Sequence, residues 1–192
     1  MTITLSKGIE QLSMLDTEQL EYLVELAGMA PDGTAVECGV WRGGSLIAWE
    51  GMRRGRGRVF AVDDWSGAQD QDGDKLERAC RSNFQQWGVK ATILTMQSWN
   101  AAFSVALPVA FCFIDADHSL HGIPRDVANW PDHIMPGGIL AFHDYDVTNP
   151  RVVVKAVVDA WQYDAQWEDL GLVGSTQAYR RPRGNNHETP NR

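Results

Sequence analysis

A chain of 192 residues, 44% of them hydrophobic, is long enough for one domain with a sizeable core, which excludes a wholly disordered protein. Its formal net charge of -8 disfavours a general nucleic-acid binder, whose affinity depends on neutralising phosphates, and is compatible with a cationic ligand. The longest apolar run, residues 105–114, is too short to span a membrane and contains Pro108, so we expect no membrane partner.

The cysteines and the start of the chain bear on its cellular compartment. Cys38, Cys80 and Cys112 are an odd number without the spacing of a metal site, and two of them lie in apolar runs where a free cysteine behaves as a small hydrophobe. No basic segment followed by an apolar run opens the chain, so we expect no signal peptide. These features predict a cytoplasmic protein without a disulfide framework.

The first predicted element is an N-terminal helical segment within residues 1–30. Asp16 is positioned to cap a helix over residues 17–27, with Gln19 at the third helical position and apolar residues at helical spacing along one face. Residues 31–33, Pro-Asp-Gly, then break the chain.

After that break, short apolar strands alternate with helical patterns. Strands are predicted at residues 34–38, 58–62, 91–95, 109–114, 138–142, 167–173 and 177–181. Helices are predicted at residues 44–54, 74–87, 124–133 and 150–161, and a disordered polar tail at residues 182–192. The alternation predicts a single α/β domain over residues 1–181, with a doubly wound, mostly parallel seven-stranded sheet and a closing antiparallel hairpin. Ligands of such sheets bind beyond the carboxyl ends of the strands.

Residues 53–58 alternate arginine and glycine. This run resembles a phosphate-binding segment, but a helix C-terminus followed by a turn explains it better, because cations there interact favourably with the helix dipole.

The first strand ends in a glycine-rich turn that opens the next predicted helix. Gly39 permits a tight turn, and Gly43 and Gly44 let a ligand approach the backbone next to Ser45. Glu37 takes the position at which the dinucleotide-binding fingerprint has its first glycine. A carboxylate there would repel a pyrophosphate and suit a cationic ligand, which disfavours a nicotinamide cofactor. An ordinary strand-to-helix turn is the alternative.

Two acids, Asp63 and Asp64, end the second strand. Asp63 follows Gly39 at about the spacing at which an acid reaches a ribose diol in nucleotide-binding sheets. A solvated loop or a helix cap is the alternative, and it is more plausible for Asp64 than for Asp63.

Polar side chains follow the fourth and fifth strands. Asp115 and His118 come after one strand, and His143 and Asp144 after the next. Because these strands are expected to be neighbours, Asp115, His143 and Asp144 should lie together at one edge of the sheet. Such a cluster can hold a divalent cation or supply a general base, and a purely structural hydrogen-bond network is the alternative.

Four segments in chain order carry a family resemblance: Val-Glu-Cys-Gly-Val-Trp-Arg-Gly-Gly-Ser, Ala-Val-Asp-Asp-Trp, Phe-Ile-Asp-Ala-Asp-His-Ser and Pro-Gly-Gly-Ile-Leu-Ala-Phe-His-Asp-Tyr. Together they resemble class I S-adenosylmethionine-dependent methyltransferases, and most of all the branch that includes macrocin-type sugar O-methyltransferases and cephalosporin-hydroxylase-like proteins. The resemblance covers about residues 34–181, and it specifies the superfamily more sharply than the substrate.

The resemblance implies a Rossmann-like methyltransferase that binds S-adenosyl-L-methionine. The cofactor-binding residues that it implies are Glu37, Gly39, Trp41, Gly43, Gly44, Ser45, Asp63, Asp64, Trp65, Gln97, Ser98 and Asp115. Among these, the turn after the first strand would surround the methionine part, Asp63 would hold the ribose, and Gln97 and Ser98 would lie by the adenine. Trp65 and Trp99 are further candidates for adenine contacts.

The resemblance also implies chemistry at the edge formed by the fourth and fifth strands. Asp115, His143 and His118 are the candidate catalytic residues, and Asp115, His143 and Asp144 are the candidate ligands for Mg²⁺ or another divalent cation. In relatives that use a metal an acid stands where this chain has His143, and imidazole is a poorer Mg²⁺ ligand than carboxylate. A metal-bound acceptor and a histidine base both remain open at this point.

The expected reaction is methyl transfer to a hydroxyl of a small-molecule acceptor, without a nucleic-acid or membrane partner. N-methylation and a non-catalytic cofactor-binding module are the alternatives. The sequence identifies neither the acceptor nor the oligomeric state, and a homo-oligomer is compatible with it.

Overall fold

The computed structural model describes residues 8–66, 72–149 and 152–184. Three sequence expectations therefore lie partly outside the described residues: the first part of the N-terminal segment, the start of the helix predicted from residue 150, and most of the predicted tail.

One seven-stranded sheet organises the chain. Its strands are β1 (Thr34–Cys38), β2 (Val59–Asp63), β3 (Ala91–Thr95), β4 (Val109–Ile114), β5 (Ile134–Phe142), β6 (Glu168–Val173) and β7 (Thr176–Arg180). The spatial order is β3-β2-β1-β4-β5-β7-β6, with parallel pairing from β3 to β5 and antiparallel pairing of β7 with β5 and β6. The predicted fold class, a mostly parallel sheet closed by an antiparallel hairpin, is confirmed.

Six α-helices accompany the sheet in the described residues. They are α1 (Thr17–Met29), α2 (Gly44–Glu50), α3 (Gly73–Trp87), α4 (Ser98–Ala101), α5 (Ile123–His133) and α6 (Val154–Ala165). The helix predicted over residues 44–54 ends earlier as an α-helix and continues as a 3-10 turn, Gly51–Arg53. Helix α4 was not predicted, because four residues are too few to show a helical period.

Helix α1 begins at the predicted cap. The Asp16 carboxylate accepts a hydrogen bond from the Gln19 backbone N–H at 2.8 Å, and the Gln19 side-chain oxygen accepts one from the Asp16 N–H at 3.3 Å. This reciprocal capping box satisfies two backbone donors that the helix itself cannot pair.

Two hydrophobic layers cover the two faces of the sheet. Helices α1, α2 and α3 pack on one face around Trp49, and α4, α5 and α6 pack on the other around Trp130. Every residue of β4 is buried, which explains why this strand is apolar throughout rather than alternating. Cys38, Cys80 and Cys112 are buried in these layers as free thiols. Among the described residues, no helix is both long enough and apolar enough to cross a membrane.

A buried arginine closes the C-terminal end of α1. Arg53 is 1% exposed, and its guanidinium donates hydrogen bonds to the carbonyl oxygens of Ala27, Ala30, Pro31 and Gly33 at 2.8–3.3 Å. The arginine-glycine run therefore follows the end of α2 and its 3-10 continuation, as expected, and Arg53 in addition serves the C-terminal end of α1. Carbonyls in this position have no partner within their helix, so one planar cation satisfies several at once.

We expect Arg53→Met to lower the free energy of unfolding by about 3 kcal/mol, because it leaves buried carbonyls unpaired. The matched control is Arg78→Met, since Arg78 is at an exposed position in α3. That control should change stability by less than about 0.5 kcal/mol. Urea denaturation of both variants measures the difference, and equal losses would contradict the role assigned to Arg53.

Candidate active site

A cavity of about 1000 Å³ lies at the carboxyl ends of β1, β2, β4 and β5. Strand order reverses between β1 and β4, and the crevice outside such a reversal is where open α/β sheets bind ligands. The loops after these strands form most of its wall, and residues 12–15, which precede α1, close one side.

The glycine-rich turn after β1 lies against other parts of the chain. A Cβ added at Gly39 would lie 1.9 Å from the carbonyl oxygen of Asp115, and one at Gly44 would lie 2.4 Å from the backbone of Leu12. Gly43 approaches Phe84 in the same way. Of this turn, Gly39, Trp41 and Ser45 line the cavity, whereas Gly43 and Gly44 do not. In the direction of an added side chain, these last two glycines are therefore in close contact with the chain itself, and the ligand approach expected from the sequence stays a prediction.

Glu37 lies beneath the cavity wall rather than on it. It is fully buried, and its carboxylate accepts hydrogen bonds from the Ser45 hydroxyl at 2.5 Å and the Trp49 indole N–H at 2.6 Å. Burial raises the pKa of Glu37 to about 8, although both hydrogen bonds oppose this. The carboxyl group lies behind the cavity wall and does not line the cavity, and its expected role in disfavouring a pyrophosphate stays a prediction.

Asp63 holds two loops of the cavity in place. Its carboxylate oxygens accept hydrogen bonds from the backbone N–H of Trp41 at 2.8 Å and of Trp65 at 2.7 Å. Both tryptophans have positive φ, 46° and 51°, a conformation that is unfavourable for a bulky side chain and persists only where the surroundings enforce it. Burial raises the pKa of Asp63. One carboxylate thus fixes the loops after β1 and β2.

The loop after β3 forms the neighbouring wall. Gln97 donates a hydrogen bond to Asp64, and Ser98 donates one to the buried Asp126 at 2.8 Å. Burial raises the pKa of Asp126 to about 7. Gln97, Ser98 and Trp99 all line the cavity, as do Asp64 and Trp65. The structure therefore brings together the residues that the sequence associated with the ribose and the adenine.

Two carboxylates and two imidazoles meet at the ends of β4 and β5. His143 Nδ1 lies 2.9 Å from Asp115 Oδ1, and His118 Nδ1 lies 3.0 Å from Asp144 Oδ2. His118 Nε2 lies 3.2 Å from Asp115 Oδ1 but makes no aligned hydrogen bond there. The predicted convergence of Asp115, His143 and Asp144 is confirmed, and His118 joins them. Donor atoms of Asp115, His118 and His143 all lie within 4.8 Å of one another, a spacing that a metal ion could use.

The four side chains balance one another's charges. Burial would raise the pKa of Asp115, but the two histidines outweigh it and hold that pKa below its usual value. The hydrogen bond from His118 likewise lowers the pKa of Asp144. Burial lowers the pKa of His118, but contacts with the two carboxylates and their charges raise it to about 10, and Asp115 raises the pKa of His143 in the same way.

Two residues of this site were not predicted from the sequence. Ser175, in the turn between β6 and β7, has its hydroxyl 3.1 Å from His143 Nε2. Gln19, expected only as a capping residue, also donates a hydrogen bond to the Ser175 hydroxyl at 3.0 Å. No spacing in the sequence links these residues to β5, because the contact depends on how the first helix and the last hairpin meet.

Comparison with known proteins gives a family and a fold. The family model described as a methyltransferase domain matches residues 36–145. The O-methyltransferase NovP is 21% identical, with a TM-score of 0.69 over 90% of this chain and 83% of its own. TomG from Streptomyces achromogenes, solved in complex with SAM, is 15% identical, with a TM-score of 0.69 over 93% and 91%. An O-methyltransferase from Bacillus cereus, solved with SAH, is 18% identical, with a TM-score of 0.64 over 88% and 84%. No curated protein matches.

At these low sequence identities the structural similarity shows only the fold, so the family assignment rests on the match to the family model. It spans more than half of the chain and contains the turn after β1, Asp63, and the whole cluster at the ends of β4 and β5. The chain therefore belongs to the methyltransferase-domain family and has the fold of the O-methyltransferases to which it is similar.

Proposed function

We propose that this protein transfers a methyl group from S-adenosyl-L-methionine to a hydroxyl of an uncharged small molecule, without a metal ion. The observation that carries the proposal is His118 Nε2, a buried imidazole nitrogen without a hydrogen-bond partner, beside Asp115 on the wall of the cavity. The O-methyltransferases of the same fold support a hydroxyl acceptor.

The cavity has room for the cofactor and a small acceptor. Its volume of about 1000 Å³ is at the upper end of the usual range for small-molecule sites. In this proposal the ribose hydroxyls bind the outward lone pairs of Asp63, the adenine lies by Gln97 and Ser98, and the methionine part lies along the turn from Gly39 to Ser45. Because Asp63 already accepts two backbone N–H groups, its orientation is fixed before the cofactor arrives.

The charges around the cavity bear on the acceptor. Aspartates 63, 64, 115, 117 and 144 line it, whereas no lysine or arginine does so among the described residues. This balance favours the positively charged sulfonium of the cofactor and disfavours an acceptor that carries a phosphate or a carboxylate. The proposed acceptor is therefore a neutral hydroxyl compound.

His118 is the proposed general base. Its Nδ1 is held by Asp144, which orients the ring and strengthens Nε2 as a proton acceptor. Nε2 makes no aligned hydrogen bond in this structure, so no aligned partner competes with an acceptor hydroxyl for it. His143 is less suited to this role, since both of its nitrogens already have partners, Asp115 and Ser175.

The donor set fits Mg²⁺ poorly. Mg²⁺ prefers oxygen ligands, and here two imidazoles occupy the space between the two carboxylates. Each carboxylate already has an imidazole partner, so no cation is needed to relieve repulsion between Asp115 and Asp144. The proposed reaction therefore uses no metal ion, and chelator treatment tests the earlier expectation of a divalent cation.

Cofactor affinity tests the contact between Asp63 and the ribose. Asp63→Ala should lose about 1.5–3 kcal/mol of binding to S-adenosylhomocysteine, roughly a 10- to 150-fold weaker dissociation constant. Asp64→Ala is the control and should lose less, because the Asp64 side chain pairs with Gln97 and Ser66. Titration calorimetry measures both variants. An unchanged affinity for Asp63→Ala would contradict the ribose contact.

Activity after chelator treatment and after substitution of His118 tests the metal-free mechanism. Methyl transfer to a hydroxyl acceptor, found with a panel of neutral compounds, should persist after chelator treatment. His118→Gln should reduce kcat roughly 10²- to 10⁴-fold, the usual contribution of a general base. Loss of activity with chelator, and its return with Mg²⁺ or Mn²⁺, would overturn the metal-free mechanism. Turnover of amines alone would favour N-methylation, and cofactor binding without any turnover would favour a non-catalytic module.

The pH dependence of kcat/KM tests His118 as the general base. A base with a pKa near 10 is protonated at neutral pH, so kcat/KM of the free enzyme should rise as the pH increases toward that value. Asp144→Asn removes a carboxylate that stabilises the His118 imidazolium, so the rise should move to lower pH. Asp132→Asn makes the same charge change at an exposed position in α5, outside the cavity, and should leave the profile in place. Identical profiles for all three proteins would rule out His118 as the titrating base.

A further inference from the structure

We propose that Gln19 and Ser175 are positioning residues that orient His143, and through it Asp115, by a hydrogen-bond relay of fixed direction. This inference rests on the proposed function, because it assigns these residues to the reacting end of the same cavity. It joins the first helix and the last hairpin to the centre of the sheet.

Three contacts form the relay. Gln19 Nε2 donates to Ser175 Oγ at 3.0 Å, Ser175 Oγ lies 3.1 Å from His143 Nε2, and His143 Nδ1 lies 2.9 Å from Asp115 Oδ1. All three distances are typical of hydrogen bonds. Gln19 is 6% exposed, and Ser175 and His143 are partly buried, so water competes little for these groups.

The capping box sets the orientation of the Gln19 amide. The backbone N–H of Asp16 can only donate, so the Gln19 side-chain atom that faces it must be the oxygen. The amide nitrogen therefore faces the hydroxyls of Ser175 and Thr176, at 3.0 and 3.4 Å. An amide nitrogen donates and does not accept, so Ser175 Oγ is the acceptor in its contact with Gln19.

This orientation determines where the hydrogen lies on His143. Because Ser175 Oγ accepts from Gln19, the hydrogen of its own hydroxyl is free to point at His143 Nε2. The ring hydrogen of a neutral His143 is then on Nδ1, where it donates to Asp115. The relay requires the neutral ring, because in a protonated ring Nε2 also carries a hydrogen and would donate to Ser175 Oγ. In both states His143 offers no lone pair at Nδ1, and its effect is to hold the Asp115 carboxylate in one orientation.

The backbone is shaped to allow this contact. Gly174 has φ of +56°, and a Cβ added there would lie 2.7 Å from Gln19 Cγ, so only glycine lets the turn approach α1 this closely. The Ser175 carbonyl oxygen accepts a hydrogen bond from the Tyr145 N–H at 2.9 Å, which ties the same turn to the segment after β5. The turn that carries Ser175 is thus fixed against α1 on one side and against the segment after β5 on the other.

The decisive variant is Gln19→Glu. Glutamate has the same shape and keeps the capping box, since its carboxylate still accepts the Asp16 N–H. A carboxylate facing Ser175 must accept its hydroxyl hydrogen, however, so His143 Nε2 loses its donor and the relay reverses. We expect kcat to fall roughly 10- to 100-fold, the usual effect of losing an orienting partner, while affinity for S-adenosylhomocysteine changes less than about twofold. Ser175→Ala should give a similar loss, Ser175→Thr should retain most activity, and Ser82→Ala, at an exposed position in α3, should have no effect.

Nuclear magnetic resonance of the histidine rings tests the relay without any acceptor. Wild-type His143, assigned with a His143→Gln sample, should carry hydrogen on Nδ1, and Gln19→Glu should add hydrogen at Nε2. A wild-type ring with hydrogen on Nε2, alone or together with Nδ1, or Gln19→Glu with unchanged ring signals and unchanged kcat, would overturn the relay. If wild-type protein turns over no hydroxyl acceptor, the proposed function fails, while the ring signals still decide whether the relay exists.

Discussion

The close contact between the backbones that follow β1 and β4 is the constraint on which the rest of the site depends. Beyond Cys38 the chain turns at Gly39 directly against the backbone of Asp115, where a Cβ would lie 1.9 Å from a carbonyl oxygen. The Asp115 N–H donates to the Cys38 carbonyl at 2.8 Å, so the two strands remain paired up to the point where their loops diverge. A side chain at Gly39 would separate them and carry Asp115 away from the crevice. The reversal of strand order creates the cavity, and this glycine keeps its two sides in register.

Next to this contact, a single carboxylate fixes the backbone conformation of two loops. Asp63 holds the backbones of Trp41 and Trp65, two of the four non-glycine residues with positive φ in the described parts of the chain, and a third, Asp144, belongs to the cluster after β5. Unfavourable backbone conformations thus concentrate on the cavity wall, where a residue held this way costs about 1–3 kcal/mol and must be stabilised by its neighbours. Glu37 has a different part, since it ties β1 to α2 through Ser45 and Trp49 beneath the wall.

The sequence was sufficient for the fold because its signals are local and repeated. The bounds of β1, β3 and β4 were predicted to the residue, since each is an apolar run between clear breaks, and strand adjacency then brought Asp115 to His143. What could not be predicted depends on tertiary contacts. Gly43 and Gly44 have the pattern of a ligand-binding turn, yet the space beside them is filled by Phe84 and Leu12. The burial that raises the pKa of Glu37, and the contact of Ser175 with His143, depend on how distant elements pack.

The cluster at the ends of β4 and β5 shows how residue type decides chemistry on a common scaffold. Two carboxylates brought together in a partly buried place raise each other's energy unless positive charge is supplied. A metal ion is one way to relieve this, and an imidazole partner for each carboxylate is another, as His143 Nδ1 is for Asp115 and His118 Nδ1 is for Asp144. In the proposed mechanism the second solution puts exchangeable protons rather than a cation at this edge of the sheet. The histidine at position 143 then belongs to a different arrangement from a metal site, in which one imidazole orients the acid and the other, once it has lost its own proton, accepts one from the acceptor hydroxyl.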